Sequence, residues 1–353
     1  MIYELKIEGF KSFVKQRIEF GAVTLLCGLN NSGKSSVLQA LRMYCRAANG
    51  DSPIISGLGD FNELRSKYVP PSSHIRIECL YSDGKKGVLD LTEKKYKKPS
   101  KFPLNIYISA ERFGPRVSLP LDIGYKNHPD VGSEGQYVAG FIEALQDCVI
   151  PPVLRHPKAE GFTLNYQIRA WIAEFAPGAE FGFSVDKKTD SGTLQFNDFR
   201  PTNAGFGLSY SLPIIAAILG CASKKLDGPW DGPWDEHWES AREKDGLLLI
   251  IENPEAHLHP SAQTAIGKLI AKGAAAGVQM VIETQSEHVM DGVRLFAKEH
   301  EGFQNNVKFN YLTRGENGIS VVDSPILSQS GRLSHWPKGF FDQAIKNKIE
   351  LSK

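Results

Sequence analysis

Three things are missing from this 353-residue chain, and each absence narrows the reading. Charge of one sign is missing. The chain holds 41 Lys and Arg against 40 Asp and Glu, a formal net charge of +1, so no overall field draws it to nucleic acid or an anionic membrane. A local basic groove stays open. No run of about 18 apolar residues occurs, which excludes a spanning helix, and no basic-then-apolar leader opens the chain. Cysteine is sparse: Cys27, Cys45, Cys79, Cys148 and Cys221 are scattered with no C-x-x-C pair, which argues for reduced, packed thiols. Together these predict a soluble, cytoplasmic protein with no membrane partner. Hydrophobic content of 41% and charged content of 23% are those of an ordinary globular chain. The length allows two or three average domains, or one large α/β domain with insertions.

What is present begins at residues 28–35, Gly-Leu-Asn-Asn-Ser-Gly-Lys-Ser, which fit G-x-x-x-x-G-K-S. Ahead of it the apolar run Ala22–Cys27 predicts a buried parallel strand. Behind it Val37, Leu38, Leu41, Tyr44 and Cys45 form the stripe of an amphipathic helix. Strand, glycine loop and helix is the arrangement that surrounds a triphosphate with backbone amides. Asn30, Asn31, Ser32, Gly33, Lys34, Ser35 and Ser36 are therefore the candidate nucleotide-binding residues. Lys34 would reach the β- and γ-phosphates and the Ser35 hydroxyl would ligate Mg²⁺.

Along the rest of the chain, Met1–Phe20 reads as two short strands about the turn Gly9–Phe13, and 51–72 as an irregular connection. His74–Tyr81 and Gly87–Leu91 are strand-like, with Lys85 and Lys86 at their turn. Lys94–Lys101 is a lysine cluster that reads as a solvated face. Pro103–Ser109 is a further strand, ending in Ala110-Glu111-Arg112-Phe113-Gly114-Pro115-Arg116. From 117 the pattern changes to helical stripes (Tyr137–Cys148, Gln167–Phe175), two strands (Glu180–Val185, Thr193–Phe196) and a helix start at Gly205–Tyr210. Residues 227–235 form a duplicated Pro-Trp turn. Strand–helix alternation then resumes with Leu247–Ile251, Pro260–Ala274 and Val278–Glu283. Val307–Leu312 and Gly318–Val322 follow as strands, before a polar end holding Trp336, Phe340 and Phe341. The predicted class is α/β, in three stretches: 1–116 with the glycine loop, an inserted helical lobe over 117–245, and 246–353.

Hydrolysis needs a carboxylate on the magnesium and a group that orients water. Leu247–Ile251 is a buried strand that delivers Glu252 at its C-terminal edge, where ligands bind in open α/β sheets. Glu255, His257 and His259 follow closely, but without a further His or Cys at metal spacing they read as structural rather than as a zinc site. The next strand ends in Glu283-Thr284-Gln285-Ser286-Glu287-His288, polar residues suited to a γ-phosphate or an attacking water.

At this point the order of motifs resembles the ABC-type ATPases related to RecF and SMC proteins. It is most similar to the OLD-like ATPases, and among them to AAA-type ATPases ending in an uncharacterised C-terminal domain. Gly9–Phe13 is similar to their opening strand motif, Gly28–Ser35 to Walker A, and Ala110–Arg116 to a segment after the first lobe. Gly205–Ser209 stands at the signature position, Glu252–Pro260 resembles Walker B and the D-loop, and Trp336–Asp342 the end of the C-terminal domain. The resemblance implies an ABC head with a mixed, largely parallel sheet core and an inserted signature lobe. It implies ATP and Mg²⁺, with Ser35 and Glu252 on the metal and Lys34, Glu252, Asn253, Glu255 and Gln285 as the catalytic set. It also implies a head-to-tail homodimer around ATP, in which Gly205, Gly207 and Ser209 complete the partner's phosphate cage. Nucleotide would then act as a switch on a separate effector, a nuclease, in anti-phage defence. The alternative is a RecF-like, ATP-dependent DNA clamp in DNA repair. Two departures point to slow or partner-stimulated hydrolysis. Asn253 stands where a second carboxylate is usual and cannot take a proton from water, and Gln285 replaces a common histidine.

Overall fold

The structure is a computed structural model and describes residues 1–122, 128–225, 235–337, 339 and 343–352. The Pro-Trp doublet over 227–234, and Lys338, Phe340, Phe341 and Asp342 of the terminal motif, lie outside the described residues. Two compact units form, Met1–Phe102 with His300–Lys353, and Pro103–Glu299. They cut the chain at different points from the three sequence stretches.

In the first unit β1 (Ile2–Phe10) and β2 (Phe13–Glu19) make a hairpin whose partners include Leu5 with Ile18 and Phe10 with Phe13. Its turn is made by Lys11, in left-handed backbone at φ 47°. β3 (Val23–Gly28) is buried along its apolar run. It leads through the glycine loop into α1 (Lys34–Asn49), whose inward stripe includes Val37, Leu38, Leu41 and Tyr44. The short α2 (Phe61–Leu64) starts from a capping box in which Asp60 and Glu63 satisfy each other's backbone amides. β4 (Ile75–Tyr81), β5 (Lys86–Leu91) and β6 (Tyr96–Lys97) complete an antiparallel sheet in the order β2-β1-β4-β5-β6. β6 falls inside the lysine cluster, where the sequence shows only a solvated face.

The second unit opens with β7 (Leu104–Ile108) and a short β8 (Leu119–Pro120). Next come α3 (Val138–Leu145), α4 (Leu164–Phe175), and the hairpin of β9 (Phe181–Asp186) with β10 (Ser191–Phe196). α5 (Phe206–Ala222) is buried on nearly all sides and carries Pro213 within it. α6 (Asp235–Asp245), β11 (Leu247–Glu252), α7 (Pro260–Ala275), β12 (Gln279–Glu283) and α8 (Glu287–Glu299) complete the unit. β7, β11 and β12 pair in parallel, setting Ile108 beside Ile251 and Glu252 beside Glu283. β11 and β12 are buried on both faces, which explains the apolar runs Leu247–Ile251 and Met280–Ile282.

The chain then returns to the first unit. β13 (Val307–Arg314) lies parallel to β3, β14 (Ser320–Asp323) antiparallel to β13, and α9 (Gln343–Leu351) ends the described chain. All five cysteines are buried and none is in a disulfide, and burial pushes the Cys45 thiol up to about 12. Among the described residues no helix is long and apolar enough to cross a membrane.

Candidate functional site

The glycine loop borders a cleft of about 540 Å³ in the first unit. β3 and β13 hold its base: a Cβ on Gly28, at φ 141°, would come within 2.3 Å of the Leu312 carbonyl oxygen and 2.9 Å of Ser32 Oγ. Only glycine fits there. Gly33, at φ 109°, caps α1. Beneath it the Ser320 hydroxyl donates to the Ser32 carbonyl (2.7 Å) and accepts from the Ser12 hydroxyl (2.7 Å). Ser12 belongs to the opening Gly9–Phe13 motif, so that motif buttresses the loop. Lys34 Nζ donates to the carbonyls of Gly28 (2.9 Å) and Leu29 (3.0 Å), which bends the ammonium over the loop.

Asn30, Asn31 and Ser35 are exposed on the loop and Ser36 half-buried. Ser32 Oγ is buried and has no hydrogen-bond partner. The cleft is lined by Lys11, Lys34, Arg65, Lys67 and Arg314, with Glu63 as its lone acid. An orphaned hydroxyl, a loop no Cβ could enter, a helix N-terminus and a cationic wall all fit a polyphosphate. Arg65, Lys67 and Arg314 went unremarked in the sequence because they come from segments distant from the motif.

In the second unit the parallel register of β11 and β12 gathers another group. Glu252 accepts from the Tyr107 hydroxyl (3.0 Å) and from the Ala110 amide (3.3 Å). Asn253 follows at φ 43°, with Oδ1 buried and unpartnered. Glu255 accepts from the Thr284 hydroxyl (2.8 Å) and the Gln285 amide (2.7 Å). Burial nevertheless holds its carboxyl above the usual range. Glu252, Asn253, Glu255 and Gln285 are thus brought to one edge, with the Gln285 side chain exposed. Arg112 is buried there, and burial lowers its guanidinium to about 10, leaving it charged at neutral pH.

The start of α5 faces the same turn. Gly205 and Phe206 are exposed and Gly207 half-buried, and a Cβ on Gly207 would meet the His257 carbonyl oxygen at 2.7 Å. Ser209 is the residue whose hydroxyl the resemblance assigns to a partner's phosphate. It is only 6% exposed, and its Oγ is buried without a partner, because the fourth residue of the helix faces inward. His257 packs edge-on against Tyr210, with ring centroids 4.5 Å apart. His259 caps α7, its ring accepting from the Ser261 amide. Among the described residues no three His, Cys, Asp or Glu side chains gather as a metal group.

Residues 1–114 match the AAA ATPase domain family. Residues 165–291 match the family described as AAA domain, putative AbiEii toxin, Type IV TA system. Residues 304–351 match a protein family of unknown function, DUF3696. No curated protein matches the chain. Among solved structures, the Smc head domain with an extended coiled coil from Pyrococcus furiosus, bound to the C-terminal domain of ScpA, is similar with a TM-score of 0.53 at 12% identity. It covers 100% of this chain and 99% of that one. The SMC head domain from Thermotoga maritima gives 0.46 at 13% identity over 91% and 98%. The recombination mediator RecF with ATP gives 0.45 at 14% over 92% and 99%. The fold is that of an ABC-ATPase head: a P-loop α/β core with an inserted helical lobe. Residues 1–114 and 165–291 thus each match an AAA domain family, and the likeness to the ABC-type head is one of fold.

Proposed function

We propose that this protein is a slow, ATP-hydrolysing nucleotide switch that dimerises head-to-tail around ATP and controls a separate effector, a nuclease, in anti-phage defence. The observation that carries the reading is the glycine-loop cleft, where five cations and the N-terminus of α1 surround a space suited to a triphosphate. Lys34 binds the β- and γ-phosphates; Asn30, Asn31, Ser32, Gly33 and Ser36 supply loop contacts. Ser35 and Glu252 are assigned to Mg²⁺, which supplies charge neutralisation at the phosphates when bound. Glu255 takes the proton from the attacking water, since Asn253 has no basic atom, and Gln285 orients that water. Gly205 and Gly207, rather than the buried Ser209 hydroxyl, offer amides to the partner protomer's nucleotide.

Size-exclusion chromatography with ATP, ADP or no nucleotide tests the reading. Wild type should dimerise with ATP alone. Lys34→Ala should stay monomeric for want of nucleotide. Gly205→Arg should stay monomeric although it binds ATP, since that position is open enough to accept a side chain without disturbing the fold. No nucleotide effect on wild type would overturn the dimer. A second reading, the ATP-dependent DNA clamp, is supported by the exposed Lys94, Lys95, Lys97 and Lys98 around Tyr96. ATP- and salt-dependent DNA binding would favour it.

A further inference from the structure

Between β11 and α7 the chain turns through two non-glycine residues in left-handed backbone, Asn253 at φ 43° and His257 at φ 61°. That conformation is unfavourable for a residue with a Cβ and persists only where the surroundings hold it. Arg112 is placed to do so. Its Nη1 donates to the carbonyls of Ser109 (2.9 Å) and Glu252 (2.7 Å), and its Nη2 to that of Asn253 (2.7 Å). One planar cation thereby spans consecutive carbonyls at the start of the turn. Its Nε is buried and unpaired.

The guanidinium also lies over the Tyr210 ring, 5.4 Å from the centroid. Tyr210 in turn meets the His257 ring, and Phe206 lies 5.8 Å from His257. Arg112 therefore touches the turn that carries Glu252 and Glu255 with its edge, and the first turn of α5 with its face. A lysine could keep the charge but not the two-pronged contact or the stacking.

Building on the proposed ATPase cycle, we propose that Arg112 is a positioning residue. It locks the Glu252–His257 turn to the first turn of α5, so that the hydrolytic carboxylates and the surface offered to the partner's nucleotide move as one piece. Its hydrogen bonds go to main-chain carbonyls of its own unit, so its loss should affect turnover and not nucleotide affinity.

The test compares wild type with Arg112→Lys and Tyr210→Leu by hydrogen exchange without nucleotide, and by ATP titration and single-turnover hydrolysis. In both variants exchange should rise together, by about 10-fold, over 252–258 and 206–210. ATP affinity should stay within about 2-fold while hydrolysis falls about 10-fold or more. Methylguanidinium should restore part of the turnover of Arg112→Ala and none of that of Lys34→Ala. Unchanged exchange in Arg112→Lys overturns the proposal, as does loosening of one segment alone or wild-type turnover. A wild type that binds no ATP while the exchange coupling holds would sink the ATPase cycle and leave the mechanical link standing.

Discussion

At Glu255 two donors, the Thr284 hydroxyl and the Gln285 amide, favour the carboxylate, and burial opposes them and prevails. The folded pKa lies above the ordinary 4.5, so the folded state binds this proton more tightly than the unfolded chain does. The contribution to stability is fully present below about pH 4.5 and is lost as pH rises through the folded value. Glu255→Gln removes that titration. Its melting temperature relative to wild type should therefore rise between pH 4.5 and pH 7, and a flat difference would show that burial does not control this group. The same variant should bind ATP and fail to hydrolyse it; hydrolysis at the wild-type rate would remove Glu255 as base. Residue roles were unevenly legible in the sequence. Glu252 and Lys34 could be named because strand, loop and helix flank them in a recognisable order. Arg112 could not be given its role, because its partners are backbone carbonyls, and carbonyls leave no trace in residue identity. For Ser209 the motif gives the position, and only the helix phase shows that its hydroxyl is buried.

Among the elements, α8 was missed. Its start reads as a polar strand end, although Ser286 Oγ accepts from the Val289 amide (3.1 Å) as a cap. Val289, Met290, Val293, Phe296 and Ala297 then form a buried helical stripe. That stripe, at i, i+1, i+4, i+7 and i+8, lies in a stretch the sequence analysis leaves unassigned. β3, β11 and β12 were legible because strands buried on both faces have little choice but apolar residues. How α8 packs on α7 was not legible, and glycine decides it. A Cβ on Gly267 would meet the Val289 carbonyl oxygen at 2.2 Å, and one on Gly292 the Thr264 carbonyl oxygen at 2.3 Å. The two helices cross backbone to backbone, where the obstacle is main chain that cannot swing aside. Gly292→Ala should therefore destabilise the fold by about 1–3 kcal/mol through overpacking, despite alanine's better helix propensity. Urea denaturation checks the sign. A stabilised variant would mean that the helices separate at little cost.

For the whole molecule, the question is whether one protomer holds all it needs to hydrolyse ATP. The glycine-loop cleft lies in one unit, and the Glu252–Glu255 turn with the start of α5 in the other. Gly205 and Phe206 are exposed at a helix N-terminus, and an exposed N-terminus is an anion site without an anion of its own. If a second protomer's nucleotide fills that role, turnover per protomer is a property of the dimer population. A net charge of +1 sets up little repulsion against self-association, so ATP concentration and protein concentration should govern assembly together. ATPase activity per protomer should then climb with protein concentration and level off once dimers dominate, across roughly the micromolar range expected for a transient switch. Gly205→Arg protomers mixed with Lys34→Ala protomers sharpen the point. A mixed dimer joins an intact α5 start to an intact cleft at one of its two sites, so the mixture should recover activity that neither variant has alone. Activity independent of concentration, with no recovery on mixing, would mean that each protomer completes its own site.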